Sequence, residues 1–527
     1  MNAFSTLWKL VPRITLRVRA WWQSLKPHNR HWLINIAIGV VIDVALHLIH
    51  PVTLENMALD SMMRVHALID PAPPPGRMPP RQIFVNVDAA TWRDKDWGGG
   101  EPYRAPREAM VKLIETAFNH GAQQVVLDIL VEGGSADRPP DLHEDQKFAD
   151  GLTRLLTNGN FGAGKQLVLV RSLRDPLQQL ALDQDRTPIS LPYPALSEVR
   201  ESPLVDEVVN KSNGRMVVAA PYFVYSSDRV LRDWQLLKVV CQRKAQESNG
   251  VLRVVPSVQV LVATRHLGLP TDQMPPQPDA GCIPFPQQEL DHLPWRGELS
   301  DLQQVADKQE HEASVHYWEA LRAAVRRATG NEHKQGVELG QAAFHAHELG
   351  NRVLFRSGET FQSDPYFDQI PARLLLQGAL DEKRLASMLT GRVAVIGQSY
   401  VEAGDRHDTP MGRVSGSVVL LNAIDSMVRS PLIQEPSAWI TLPISFLVIV
   451  VVGYVFSRWN SARGPLISTI LLVPVLAFAS FYFFTYGVWL DFAGPLIGIW
   501  LHREYKSFEE RVELRKLEQQ HGFHKQH

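Results

Sequence analysis

The sequence predicts an α/β extracytoplasmic domain, a mostly parallel sheet with flanking helices, joined to a four-helix transmembrane region. Three observations predict it. Long apolar runs lie at the two ends of the 527 residues and leave a large polar middle. The middle holds short, near-continuous β-branched runs, the pattern of strands buried on both faces of a sheet. A helical pattern of apolar residues separates the first two runs, which makes a β-α-β unit.

The elements follow in chain order. In residues 1–31, Phe4, Leu7, Val11, Ile14, Val18 and Trp21 recur at helical spacing with basic residues between them. This predicts an amphipathic helix on an anionic cytoplasmic leaflet; a partner-binding helix is the other reading. The first span, residues 32–50, has its apolar run at Trp32–Ile49, just enough to cross about 30 Å of hydrocarbon at 1.5 Å per residue. Its Asn35, Asp43 and His47 are expected near the interface or against other spans.

The middle domain, residues 51–436, starts its sheet with IFVNVD (83–88). Met110, Leu113, Ile114 and Phe118 share one face of a helix over 106–120, and Gly121 stops it. QVVLDIL (124–130) and RVAVIG (392–397) are the next strands, with further candidates at 167–171 and 216–221. Helices at 257–266 and 416–428 are expected to cover the sheet. An insertion at about 268–350 begins with a proline-rich stretch that excludes regular helix, followed by a helical pattern over 301–329.

Three more spans are read at 437–457, 465–486 and 488–502, the last short and carrying Asp491 and Pro495. A re-entrant segment is the alternative for that one. Basic residues cluster before the first span, between the second and third, and after the fourth. With all three clusters cytoplasmic, residues 51–436 lie outside, and the protein is expected as a multi-pass protein of a bacterial inner membrane. The tail, 503–527, reads as a short helix with Leu501, Tyr505, Phe508 and Val512 in line.

Composition excludes several classes. The 54 basic and 56 acidic residues leave a net charge of −2, which argues against nucleic acid as a partner. Two cysteines rule out a cysteine-rich metal site. Cys241 and Cys282 both fall outside the membrane; a disulfide there would close a loop of about 40 residues, and two free thiols are the alternative. Histidines at 311, 316, 333, 345 and 347 match no metal-ligand spacing, so neither metal nor cofactor is expected.

The candidate site lies beyond the carboxyl ends of the strands, where α/β sheets bind ligands. Asp88, Asp128 and Gly397 fall there, and Asp405 and Asp408 follow in the next loop. Carboxylates around one crevice suit a cation or cationic ligand. The structural alternative is that these aspartates cap helices and tie down loops. No nucleophile–base motif, phosphate loop or HExxH pattern is present, so no enzyme is expected.

These residues resemble the CHASE2 family of extracytoplasmic sensor domains through most of 54–500. Leu54-Glu55, Leu59-Asp60 and Arg64 look like the family's opening helix. FVNVDAATW (84–92) and PREAMVKLIETAFNHGAQQVVLDIL (106–130) resemble its first strand, central helix and Asp-bearing second strand. In the block 392–428, Ile396-Gly397, Asp405, Asp408-Thr409-Pro410, Gly412, Gly416 and Asn422-Ala423 fall in the family's order. Two departures stand out. Asp88 is followed by Ala89 where the family often has a second Asp, and the helix from Gly416 to Asn422 lacks the usual His. The resemblance places Thr409 and Asn422 with the crevice residues.

The resemblance implies a non-enzymatic sensor. CHASE2 domains usually precede a cytoplasmic output module, and residues 503–527 are too few for one. The output is therefore expected from a separate signalling or envelope protein, contacted through the spans or tail, with a homodimer expected from the family. The second reading is a structural or assembly subunit of a cell-envelope complex whose α/β domain docks other proteins. An enzyme working with a metal at the aspartate crevice is the third.

Overall fold

The structure is a computed structural model. It describes residues 21–49, 52–69, 82–97, 105–131, 142–162, 164–171, 203–226, 228–234, 237–243, 250–266, 367–429, 438–459 and 463–484, with short pieces elsewhere. The basic segment 1–20 and the five histidines between 311 and 347 lie outside the described residues. So do the insertion apart from 281–282, the fourth span apart from Trp489 and Leu501, and most of the tail. The chain divides into two compact units. One comprises Met1–Met62, Gln335–His347 and Gln434–His527; the other comprises Met63–Lys334 and Glu348–Ile433.

The described elements, in chain order, begin with α1 (Pro27–Ile49), α2 (Val52–Ile69), β1 (Gln82–Val87), α3 (Ala89–Trp92), α4 (Arg107–Asn119) and β2 (Gln124–Asp128). Next come α5 (Leu142–Thr157), β3 (Gln166–Val170), β4 (Leu173–Arg174), β5 (Glu198–Val199), α6 (Pro203–Lys211), β6 (Met216–Ala219), β7 (Phe223–Tyr225) and β8 (Leu231–Trp234). They are followed by β9 (Leu237–Arg243), β10 (Gly250–Pro256), α7 (Val258–His266), β11 (Gly281–Cys282), β12 (Phe367–Pro371), α8 (Ala372–Leu376) and α9 (Glu382–Leu389). The last are β13 (Val393–Gln398), β14 (Arg406–Thr409), β15 (Gly412–Ser415), α10 (Gly416–Arg429), α11 (Ala438–Arg458) and α12 (Arg463–Phe484).

The second unit is built on a six-stranded sheet of order β12-β1-β13-β2-β3-β6. Every pairing in it is parallel. The five strands expected from the β-branched runs are all in it, and β12 adds an edge. Alternation divides each strand between two layers. Ile83, Val85 and Val87 of β1, Val125 and Leu127 of β2, and Ala394 and Ile396 of β13 enter one core with α4, α5, α6, α8 and α9. The other face, with Phe84 and Val395 buried, is covered by α10, which packs against β1, β13 and α7. The α/β reading therefore stands. Gly121, at φ +90°, ends α4 and turns the chain into β2.

Elements that the sequence did not announce complete this unit. A second sheet, β11-β10-β9-β5-β4, is antiparallel except for the single β5–β9 pairing. Two hairpins, β7–β8 and β14–β15, stand apart from both sheets. Cys241 lies on β9 and Cys282 on β11, with β10 between them.

Of the four-helix membrane region, the described residues show one span. Among the described residues one helical stretch, Leu466–Phe484 in α12, is long and apolar enough to cross a membrane. Helices do form where the first and second spans were expected. In α11, however, the apolar stretch is only Pro443–Val455, and α1 carries Asn35, Asp43 and His47 in its run. In the first unit α1 packs on α11: Trp32 Nε1 donates to Val450 O at 3.3 Å and Asn35 Nδ2 to Gly453 O at 3.4 Å. Gly39 lies so close to Ile449 that a Cβ there would meet Cγ2 at 2.6 Å.

Candidate functional site

Asp128 closes β2. In register with it across the sheet lie Gly397 of β13 and Asn86 of β1. The residues just before them, Leu127, Ile396 and Val85, point into the core under α4, so this row faces α10.

Gly397 is a glycine because its space is taken. A Cβ there would fall 2.0 Å from Ser417 Oγ and 2.7 Å from Ser417 Cβ. Ser417, in the first turn of α10, lies over the gap and donates from Oγ to Asp128 Oδ2 at 2.6 Å. The next contact is as close: a Cβ on Gly416 would meet Asp405 Oδ2 at 2.1 Å, and Gly416 N donates to Asp405 O at 3.1 Å. Two glycines thus let the start of α10 settle between two carboxylates.

Asp128 keeps part of its surface open to solvent. Its carboxyl is nevertheless surrounded well enough for burial to be the main influence on it. Burial first and the charge of Asp405 second push its pKa up from 3.8 to about 7; the Ser417 hydrogen bond and His407 pull the other way. At neutral pH the acid is divided between its protonated and ionised forms.

Asp405 leads into a hydrogen-bonded chain. Its Oδ1 is 2.7 Å from His407 Nε2, and His407 Nδ1 meets the Tyr225 hydroxyl. Burial, then the charges of Asp405 and Asp408, hold the Tyr225 phenol above its ordinary range, so it keeps its proton. Both ring nitrogens of His407 are thus engaged, Nδ1 by Tyr225 and Nε2 by Asp405. This chain ties the β14–β15 hairpin to β7. At the hairpin's tip, Arg64 Nε donates to Pro410 O at 2.6 Å.

The other expected site residues are placed as follows. Asp88 is the N-cap of α3, accepting from Thr91 N and Thr91 Oγ1, both at 2.7 Å. Asp408 is exposed on β14, opposite Arg413. Thr409 holds the hairpin turn, donating to Gly412 O at 2.6 Å and accepting from Met411 N at 3.3 Å. Asn422 is buried and donates one turn back, to Val418 O at 2.8 Å. The structure therefore brings Asp128, Gly397 and Asp405 together and gives Asp88, Thr409 and Asn422 local roles.

Ser417, His407, Tyr225 and Asn86 were not read from the sequence. Asn86 had a signal, a polar residue inside an apolar strand run. His407 sits within the acidic block. Tyr225 joins from 182 positions away and Ser417 reaches Asp128 across 289, with nothing local to mark either.

Chemically, the arrangement can hold and release a proton at Asp128 and orient a donor chain ending on Asp405. Among the described residues Ser417 donates to Asp128, and the Tyr225 hydroxyl meets His407, which Asp405 holds in turn. Among the described residues no group of three or more His, Cys, Asp or Glu is placed to hold a metal ion.

The family model of the CHASE2 domain matches residues 36–456. No curated protein and no solved structure matches the chain.

Proposed function

This chain belongs to the CHASE2 domain family of extracytoplasmic sensor domains, and on that premise we propose that it is a non-enzymatic sensor subunit. It detects a signal outside the membrane and relays it to a separate output protein. The observation that carries the reading is the Asp128 carboxyl, set under the first turn of α10, held by Ser417 and lying beside the hydrogen-bonded chain of Asp405, His407 and Tyr225. In the chain, α10 leads on to α11, and the hairpin that carries His407 is held by Arg64 of α2, the helix that follows α1. A change at the crevice therefore has two routes toward apolar helices, one along the chain from α10 and one through the Arg64–Pro410 hydrogen bond. The signal works by population shift, favouring one arrangement of those helices over another. Placement as a multi-pass inner-membrane protein belongs to the same proposal.

One observation favours the second reading, a docking subunit of an envelope complex. The crevice is tightly filled at Gly397 and Gly416, as in a surface that carries no ligand. Affinity purification of the full chain from native membranes distinguishes the two. The sensor reading expects a co-purifying protein with a catalytic output domain, lost when residues 505–527 are deleted. Envelope-assembly proteins retained after that deletion would overturn it in favour of the docking subunit.

A further inference from the structure

Deepening the sensor reading, on which it rests, we propose that the ligand of this crevice is a proton, carried on the Asp128 carboxyl, and that its release to solvent loosens the β14–β15 hairpin from β7.

Space argues for the smallest ligand. Neither Gly397 nor Gly416 has room for a methyl group, because Ser417 and Asp405 already stand there. The side of the carboxyl under α10 is therefore filled by Ser417 and by the turn that carries Asp405. A proton needs no further room there.

Charge argues the same way. From α10 the group facing Asp128 is Ser417, a neutral donor. From β14 and the loop before it come Asp405 and His407; beyond them Tyr225 of β7 and Asp408 complete the set. From β1 comes Asn86, whose buried Oδ1 finds no donor among the described residues. Just past β3, Arg171 is turned to Asp206. On α4, across the sheet, Arg107 is turned to Leu130 O and Asp145. Among the described residues no Lys or Arg forms an ion pair with Asp128. The raised pKa of Asp128 is the outcome of these surroundings.

The coupling runs through Asp405. When Asp128 loses its proton, a second anion appears beside Asp405. Asp405 holds His407, and His407 holds Tyr225. Repulsion between the two carboxylates therefore falls on the residue that anchors the hairpin's tie to β7. With Asp128 protonated, that repulsion is absent and the tie closes.

The test is hydrogen–deuterium exchange of residues 406–415 in the full chain in lipid nanodiscs, followed from about pH 5.5 to 8.5 and corrected for the intrinsic exchange rate. Protection of the hairpin is expected to fall several-fold with a midpoint near 7. Asp128→Asn, a neutral isostere of the protonated acid, is expected to hold the hairpin at its low-pH level throughout. Ser417→Ala removes a contact that favours the anion, so its midpoint is expected to move upward. A hairpin with no inflection, or one whose inflection survives Asp128→Asn, overturns the proposal. If Asp128→Asn fails to fold, an unmoved midpoint in Ser417→Ala overturns it. Partner capture on the same preparations separates this proposal from the sensor reading. A captured output protein without an inflection leaves the relay and removes the proton; an inflection without such a partner does the reverse.

Discussion

Ser417 occupies the place that a side chain at residue 397 would need: a Cβ built on Gly397 would lie 2.0 Å from its Oγ and 2.7 Å from its Cβ. The hydroxyl can turn away, but the Ser417 Cβ is fixed to the helix. Gly397→Ala is expected to push α10 off β13, break the bond to Asp128 and cost about 1–3 kcal/mol in thermal unfolding. Adding Ser417→Gly is expected to recover part of that loss, because the two changes share one space.

Stability should depend on pH through Asp128. Its carboxyl titrates near 3.8 in a free chain and near 7 in the fold. The folded state holds the proton more tightly, so this contribution is fully present below 3.8 and is lost as pH rises through about 7. The whole span is at most about 4 kcal/mol. Urea unfolding of the full chain from about pH 5 to 8 is expected to show a falling midpoint, and Asp128→Asn to flatten it.

Asp88 should behave differently. It caps α3 through two hydrogen bonds to Thr91. Asp88→Ala is expected to cost about 1 kcal/mol of stability in urea unfolding, and a cost near zero would remove the capping role.

Gly39 should govern the α1–α11 contact, since a Cβ there would meet Ile449 Cγ2 at 2.6 Å. A methyl can be met by turning Ile449, but a larger side chain requires the helices to part. Gly39→Leu is expected to cost about 1–3 kcal/mol of stability in detergent unfolding, and Gly39→Ala much less.

What could be read in the sequence was local. The runs at 83–88, 124–130 and 392–397 formed strands, and Gly121 turned between α4 and β2, because burial on both faces and a helix stop are written in consecutive residues. The small sheet was missed for the same reason. LKVVCQR and GVLRVVP carry basic residues among their apolar ones and present no clean period. In the site, Asp128 could be found as an acid at a strand end. Ser417 and Tyr225 could not, because their roles come from register and topology over long separations.

The strand order has a bearing on how the molecule is made. β13 lies between β1 and β2, yet it is synthesised some 265 residues after β2, counting from Asp128 to Val393. Until then the two earlier strands flank an empty slot, each with an unpaired edge that can recruit any extended segment. A growing chain cannot close its central sheet piece by piece from the amino end. It must wait for the last strand of that sheet, so β1 and β2 stay without their shared partner until 393–398 arrive. The same strand delivers Gly397, and α10 with Ser417 follows at once. Completion of the core and assembly of the proton site are thus a single late event in the life of each new molecule.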